Sequence, residues 1–445
     1  MHRPCQKIRR ELVVEGILPS ESWHNWHFAT FDCECFMDDV HTETGVRSIH
    51  RLVSIAVKSS FGTNGEHYLE RENMDPWSVK TLVQEFLSTL VHMRGEMFKH
   101  IPKSVIDGRK HYLKIVTSEG FRKRSVEQQA VARNKLRFLD KCLALRIYSW
   151  NGERYDHNVV WAPMMDIFSN MESFDRFNII RRGTGIMEFS DEALIFRDFL
   201  NMTSPMSLDR FAVSCGVTAT EKTTFPYELF RDICTLRTTT EFPSYNLFRS
   251  SLVSNKSGFI SEIEELVTSN VKKGIWENSA TANEFFQIDP PIRFTFDTDR
   301  FSIHSDDKAR ASQIFHTSPK KYFTSKKIFD EKCTSMADYL RLYNLNDVIL
   351  LDECVKSYAQ GFFETWAVNI HEEMSLPGVA QGLAFNFYEE AATPLYTFGK
   401  KFTHYNEEIR KQLYGGMTLA TRFQIYILVF QQKYLLIDRV SRLVA

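Results

Sequence analysis

No pair of Cys-x-x-Cys units occurs in this chain. Its eight cysteines stand apart at positions 5, 33, 35, 142, 215, 234, 333 and 354. That scatter argues against a structural zinc site and suits free thiols in a reducing compartment. A run of roughly 18 apolar residues, the length a membrane span needs, is also missing. The most apolar stretch, residues 423–430, is too short and reads as a buried strand. The opening residues are basic and then acidic, with no apolar core of signal length. Internal repeats and low-complexity tracts are absent. The net charge is only −1, so nucleic-acid contact would have to come from local basic patches. What is there is ordinary for a soluble globular chain: 43% hydrophobic and 25% charged residues. Its 445 residues allow two to four domains, or one large α/β unit with appendages.

Strand-like and helix-like segments alternate, which predicts an α/β protein with a mixed sheet flanked by helices. Residues 28–37 and 49–57 read as strands around a polar turn. A helix is expected over 79–94, where Val79, Leu82, Val83, Phe86, Leu87 and Leu90 share a face. Further helices are expected over 130–145, 207–215 (capped by Ser207), 337–359 and 379–391, and a strand pair over 186–189 and 193–200. Residues 99–125 are basic and read as a surface loop or hairpin, serving either as a solvated face or as a phosphate-backbone contact. Residues 222–335 are the least regular part. Within them Lys308, Arg310, Lys320, Lys321, Lys326 and Lys327 interleave with Phe315, Tyr322 and Phe323. That composition suits a single-stranded DNA path or a solvated loop. His24 and His27 read as packing residues, and His157 as an incidental neighbour of Asp156.

Three acidic stations stand out. The first is the strand-like Thr30-Phe31-Asp32-Cys33-Glu34-Cys35-Phe36. Alternation along a strand puts Asp32 and Glu34 on one face and the two cysteines on the other. Paired carboxylates repel unless a cation lies between them, which makes this a candidate site for a hard divalent ion. The second station is the turn Asn151-Gly152-Glu153-Arg154-Tyr155-Asp156. The third is Tyr343 and Asp347, four apart on the long helix and so on one face. Converging, these groups would hold two metals about 4 Å apart, clamping an attacking water and a leaving 3′ oxygen. Tyr343 would position the water.

This ordered set resembles the three exonuclease motifs of family B DNA polymerases. The motifs are Asp-x-Glu at Asp32 and Glu34, Asn-x-x-x-aromatic-Asp at Asn151, Tyr155 and Asp156, and Tyr-x-x-x-Asp at Tyr343 and Asp347. More narrowly it resembles the protein-primed branch found in phages, linear organellar plasmids, adenovirus-like viruses and Maverick/Polinton transposons. Lys222-Thr223-Thr224-Phe225 matches that branch's Lys-x-x-hydrophobic motif and is followed by Pro226-Tyr227. Ser207-Leu208-x-x-Phe211 matches its motif for single strands and the terminal protein; a competing register starts at Phe199-Leu200.

The resemblance implies a ribonuclease-H-like 3′–5′ exonuclease using two Mg²⁺, with Mn²⁺ as a substitute. Asp32, Glu34 and Asp347 would hold one ion, and Asp32 with Asp156 the other. Asn151 and Phe31 would contact a frayed 3′ DNA end, and Tyr155, Ser207, Leu208 and Phe225 would also bind DNA. Lys222 would offset charge at the scissile phosphate. The partners implied are single-stranded 3′ ends, primer-template DNA and a terminal priming protein. Glycines 415 and 416, then Asp438 and Ser441, partly match the start of a polymerase palm. The expected organisation is a lead-in over 1–25, an exonuclease domain over 26–360, and a helical linker with a truncated palm over 361–445. Phe296-Asp297-Thr298-Asp299 mimics a second palm motif but precedes the third exonuclease motif, so it reads as a surface turn. Two rival readings are a free-standing exonuclease and a non-catalytic DNA- or terminal-protein-binding remnant of a mobile element.

Overall fold

The computed structural model of the chain describes residues 4–42, 45–62, 65–168, 178–217, 223–248, 257–315 and 317–380. They belong to one compact unit, Pro4–Leu383. The expected palm start, the strand at 423–430, most of the helix at 379–391 and Lys222 lie outside the described residues.

The elements follow in this order. Helix α1 (Pro4–Val14) precedes strands β1 (Phe28–Thr42), β2 (Gly45–Ser59) and β3 (Glu66–Glu70). Helices α2 (Pro76–Met97), α3 (Lys103–Thr117) and α4 (Val126–Leu143) lead into β4 (Leu145–Ser149) and α5 (Asp156–Phe168). Then come β5 (Asn178–Arg182), β6 (Gly185–Ser190), β7 (Leu194–Asp198), α6 (Leu208–Ser214) and α7 (Ile233–Thr238). A further module holds α8 (Ser257–Lys272), α9 (Thr281–Phe285), β8 (Phe294–Asp297), β9 (Arg300–Ile303), α10 (Lys308–Ile314) and α11 (Pro319–Lys332). The long α12 (Met336–Trp366) closes the series.

Seven strands form one mixed sheet in the order β3-β2-β1-β4-β7-β6-β5. Strand β2 runs antiparallel to both its neighbours, β1 and β3; β4 and β7 run parallel to β1; β6 is antiparallel to β7 and β5 to β6. The α/β reading therefore stands. Strands β1 and β2 pair out to Thr42 and Gly45, with one register shift between Glu34 and Cys35, so the polar stretch expected as a turn extends both strands into a ribbon.

Helices cover both faces. Phe31, Cys33 and Cys35 of β1 pack with Phe86 and Leu90 of α2 and Val160 of α5. On the opposite face Phe28 and Tyr148 pack with Leu350, Leu351 and Cys354 of α12. Local chemistry starts and stops these helices. Asp75 accepts from the Ser78 N–H to cap α2, with Pro76 at its first position. Capping boxes begin α4 (Ser125, Gln128) and α12 (Ser335, Asp338). Ser207 caps α6 as expected.

The N-terminal lead-in packs into this same unit, with Leu12 and Leu18 in its core. Helix α12 passes residue 360 and ends at Ala367, whose φ of 52° is left-handed. The basic stretch expected as a loop or hairpin is helix α3 and a 3-10 turn. Val105, Gly108 and Tyr112 give α3 a buried side, and a Cβ on Gly108 would lie 2.4 Å from the Ile17 side chain. Residues 242–323 build a satellite core of their own around Tyr245, Phe248, Ile263 and Phe286. Phe315 and Tyr322 are buried there, so they are core residues and present no stacking surface to DNA. The Thr298-Asp299 pair turns the isolated β8–β9 hairpin, consistent with a surface turn. No helix among the described residues is long and apolar enough to cross a membrane.

Candidate active site

Alternation along β1 separates Glu34 from Cys33 and Cys35. Glu34 is 6% exposed and faces the α12 side, directly opposite Ser54 of β2. The Tyr227 hydroxyl donates to Glu34 Oε2 at 2.5 Å. Tyr227 arrives on an irregular segment moored by two bonds: the Tyr339 hydroxyl to the Thr224 carbonyl (3.0 Å) and the Thr224 N–H to Ser325 Oγ (3.1 Å). Tyr343 of α12 lies edge-on to Tyr227, ring centres 6.4 Å apart. One turn further along, Asp347 is half-buried. The Thr30 hydroxyl donates to the Val348 carbonyl at 2.9 Å and pins this part of α12 to β1.

Asp156 comes from the other side of β1. Strand β4 pairs with β1 only through Phe28–Thr30 and ends at Ser149, leaving the edge of β1 open beyond that point. Asp156, first in α5 and 2% exposed, fills the gap: its Oδ1 accepts from the Cys33 N–H at 3.2 Å. The turn that delivers it is tightly built. Asn151 adopts a φ of 64°, a left-handed conformation that Asn tolerates. A Cβ on Gly152 would lie 1.8 Å from Ser149 Oγ. Asp198, at the end of β7, accepts from the N–H groups of Asn151 (2.9 Å), Glu153 (3.1 Å) and Leu200 (2.9 Å).

The acids feel one another. Burial, then the Asp32 charge, pushes the Glu34 carboxyl well above its ordinary range; Asp347 and Asp156 push the same way, and the Tyr227 bond opposes them. Burial, then Asp32, likewise raises Asp156, against the pull of the Cys33 N–H. Burial and the charges of Asp347, Glu34 and Asp32 hold the Tyr343 hydroxyl firmly protonated. Asp32, Asp156, Tyr343 and Asp347 are thus each within electrostatic reach of Glu34. They do not close into a cage: no group of three or more His, Cys, Asp or Glu side chains among the described residues is set to ligate one ion.

Other anticipated site residues sit elsewhere. Phe31 is fully buried on the far side of the sheet, among the rings of Phe86, His157 and Phe196. Phe225 is fully buried beside Tyr339, and Leu208 is buried next to Phe211. None of the three offers a ring or chain to a DNA strand in this conformation. Ser207 spends its hydroxyl on the Arg210 N–H. Tyr155 is half-buried, its hydroxyl 3.0 Å from His50 Nδ1. Asn151 is exposed at the turn. His157 is a structural residue: Nδ1 donates to the Ile186 carbonyl at 2.6 Å, Nε2 accepts from the Ser149 hydroxyl at 3.1 Å, and burial lowers its pKa to about 4.

Two residues that shape the site carried no role in the sequence. Tyr227 was visible only as part of Pro226-Tyr227. Asp198 showed no more than its place at a strand end, which is where a turn-capping acid belongs.

No family model matches the chain. No curated protein and no solved structure matches it significantly either.

Proposed function

We propose that this chain carries a metal-dependent 3′–5′ exonuclease site acting on single-stranded DNA ends, the proofreading site of a protein-primed family B DNA polymerase. One observation carries the reading. Asp32, Asp156 and Asp347, spread over more than three hundred residues of sequence, all lie within electrostatic reach of Glu34, in surroundings that resist the ionisation of Glu34 and Asp156. A sheet in which an antiparallel meander of three strands continues into two parallel strands is compatible with a ribonuclease-H-like fold.

The donor set suits Mg²⁺ or Mn²⁺, because it is all carboxylate and carries more negative charge than its burial tolerates. Asp32, Glu34 and Asp347 would hold one ion, and Asp32 with Asp156 the other. Bound there, the ions would supply an activated water and stabilise the leaving 3′ oxygen. The chain's own groups do the rest. Tyr227 holds one oxygen of Glu34, leaving the other for a ligand. Tyr343 keeps its proton and can orient a water. Asp198 and Asn151 hold the turn that aims Asp156. Lys222 would offset charge at the phosphate. Primer-template DNA and a terminal protein are the partners this reading implies.

The test is metal-dependent shortening of a 5′-labelled single strand. Asp32→Ala and Asp347→Ala should abolish it, and retained cleavage in both variants overturns the reading. The open spacing of the acids favours a second reading, a non-catalytic DNA-binding module. Calorimetric titration with Mn²⁺ separates the two: no binding supports the second.

A further inference from the structure

Between residues 99 and 141 the chain carries twelve Lys and Arg against four Asp and Glu, although its overall charge is −1. Folding sorts these cations into two sets. The inner ones are neutralised. Lys135 sits between Glu11 (2.8 Å) and Glu15 (2.6 Å), and Arg109 reaches Asp140 at 2.6 Å.

Exposed Lys99 and Lys110 pair with Glu96 and Asp107, but six other exposed cations are not neutralised. Arg122, Lys123 and Arg124 crown the connection between α3 and α4 and are exposed. Arg133, Arg137 and Lys141 recur at every fourth residue of α4, an exposed stripe with about 6 Å between cations. None of these six has a carboxylate within ion-pair distance among the described residues. Leaving so many like charges unpaired along one edge costs self-repulsion, which a polyanion would relieve.

The chemistry of the face selects its occupant. Four of the six are arginines, whose planar forks match phosphate oxygens. A lipid surface would need an apolar flank to insert. Leu136, Phe138, Leu139 and Leu143 of α4 turn inward, leaving only Val126 and Val131 as exposed large apolar residues on that helix. The Lys141 end of the stripe adjoins the start of β4, whereas Asp156 follows the other end of that strand. Five strand residues, about 17 Å, separate the two.

We propose that the α3–α4 connection and the exposed stripe of α4 bind the phosphate backbone of nucleic acid without reading its bases, as a contact separate from the acidic pocket. The inference goes beyond the nuclease reading and is tested without metal. The full chain in EDTA is titrated into a labelled oligo(dT) of about 30 nucleotides, and into a duplex of the same length, across a salt series. Parent protein should bind with a steep salt dependence. R122E/K123E/R124E and R133E/R137E/K141E should each lose tenfold or more in affinity. Each should also flatten the plot of log K against log salt by about 2, the slope of three phosphate contacts on a single strand. Circular dichroism checks folding, and Gln replacements at the same positions carry the test should charge reversal impair it. Parental affinity and slope in both triple variants would overturn the proposal. So would tighter binding of polyglutamate or anionic vesicles than of the oligonucleotides.

Discussion

Replacing Glu34 by Gln should stabilise the metal-free protein at pH 8. The carboxyl is 6% exposed, its pKa is raised far above the ordinary 4.5, and burial is the main cause. A folded-state pKa above the unfolded value means the native state binds more protons, so stability falls as pH rises between those two values. Each such group contributes about 1.4 kcal/mol per pH unit inside that window. Asp156 behaves the same way from its ordinary 3.8, so the parent should lose up to about 2.7 kcal/mol per unit while both carboxyls titrate. Glu34→Gln and Asp156→Asn remove the buried charge, and Asn can keep accepting from the Cys33 N–H. Urea unfolding in EDTA from pH 5 to 8 reads the effect directly. The parent should weaken steadily with pH, each variant should weaken less, and Mn²⁺ should restore the parent but not the double variant. A parent stability that is flat over this range, together with Gln and Asn variants weaker than parent at pH 8, would refute the reasoning.

Three further outcomes follow from the same geometry. Tyr227→Phe removes the hydroxyl that holds down the Glu34 pKa; the acid limb of metal-dependent cleavage should move to higher pH and the rate below it should fall. Asp198→Ala strips the acceptor from three backbone N–H groups, and urea unfolding should show a loss of about 3 kcal/mol at roughly 1 kcal/mol per bond. Phe31→Ala opens a cavity in the core and should cost about 3–5 kcal/mol of stability; variant protein that is still folded should keep its affinity for single-stranded DNA, a result that a direct contact would contradict.

Much of the candidate site was legible because it obeys short-range periodicity. The spacing of Asp32 and Glu34 on a strand, and of Tyr343 and Asp347 on a helix, sets which side chains share a face before anything packs. The caps at Ser207 and the apolar spacing of α2 are equally local. Burial depth is a different kind of quantity. Phe31 stands beside Asp32 in sequence, yet alternation turns it to the opposite face and into a core, whereas Phe225, on an irregular segment, is buried by its contact with Tyr339. Helix α3 was hidden because Lys103, Arg109, Lys110 and Lys114 interleave with its apolar residues, and the module over 242–323 because most of its elements are short, with prolines between them.

The sequence by itself determined the alternating strands, the main helices, the acidic stations and the basic excess at 99–141, since each depends on residues a few positions apart. Only the tertiary structure decided that β4 stops short and leaves the edge of β1 to Asp156, that Tyr227 crosses nearly two hundred residues to hold Glu34, and which cations are neutralised and which face outward. Those outcomes are set by where chain segments end and meet, and the energy that sets them comes from contacts between residues that no local pattern links.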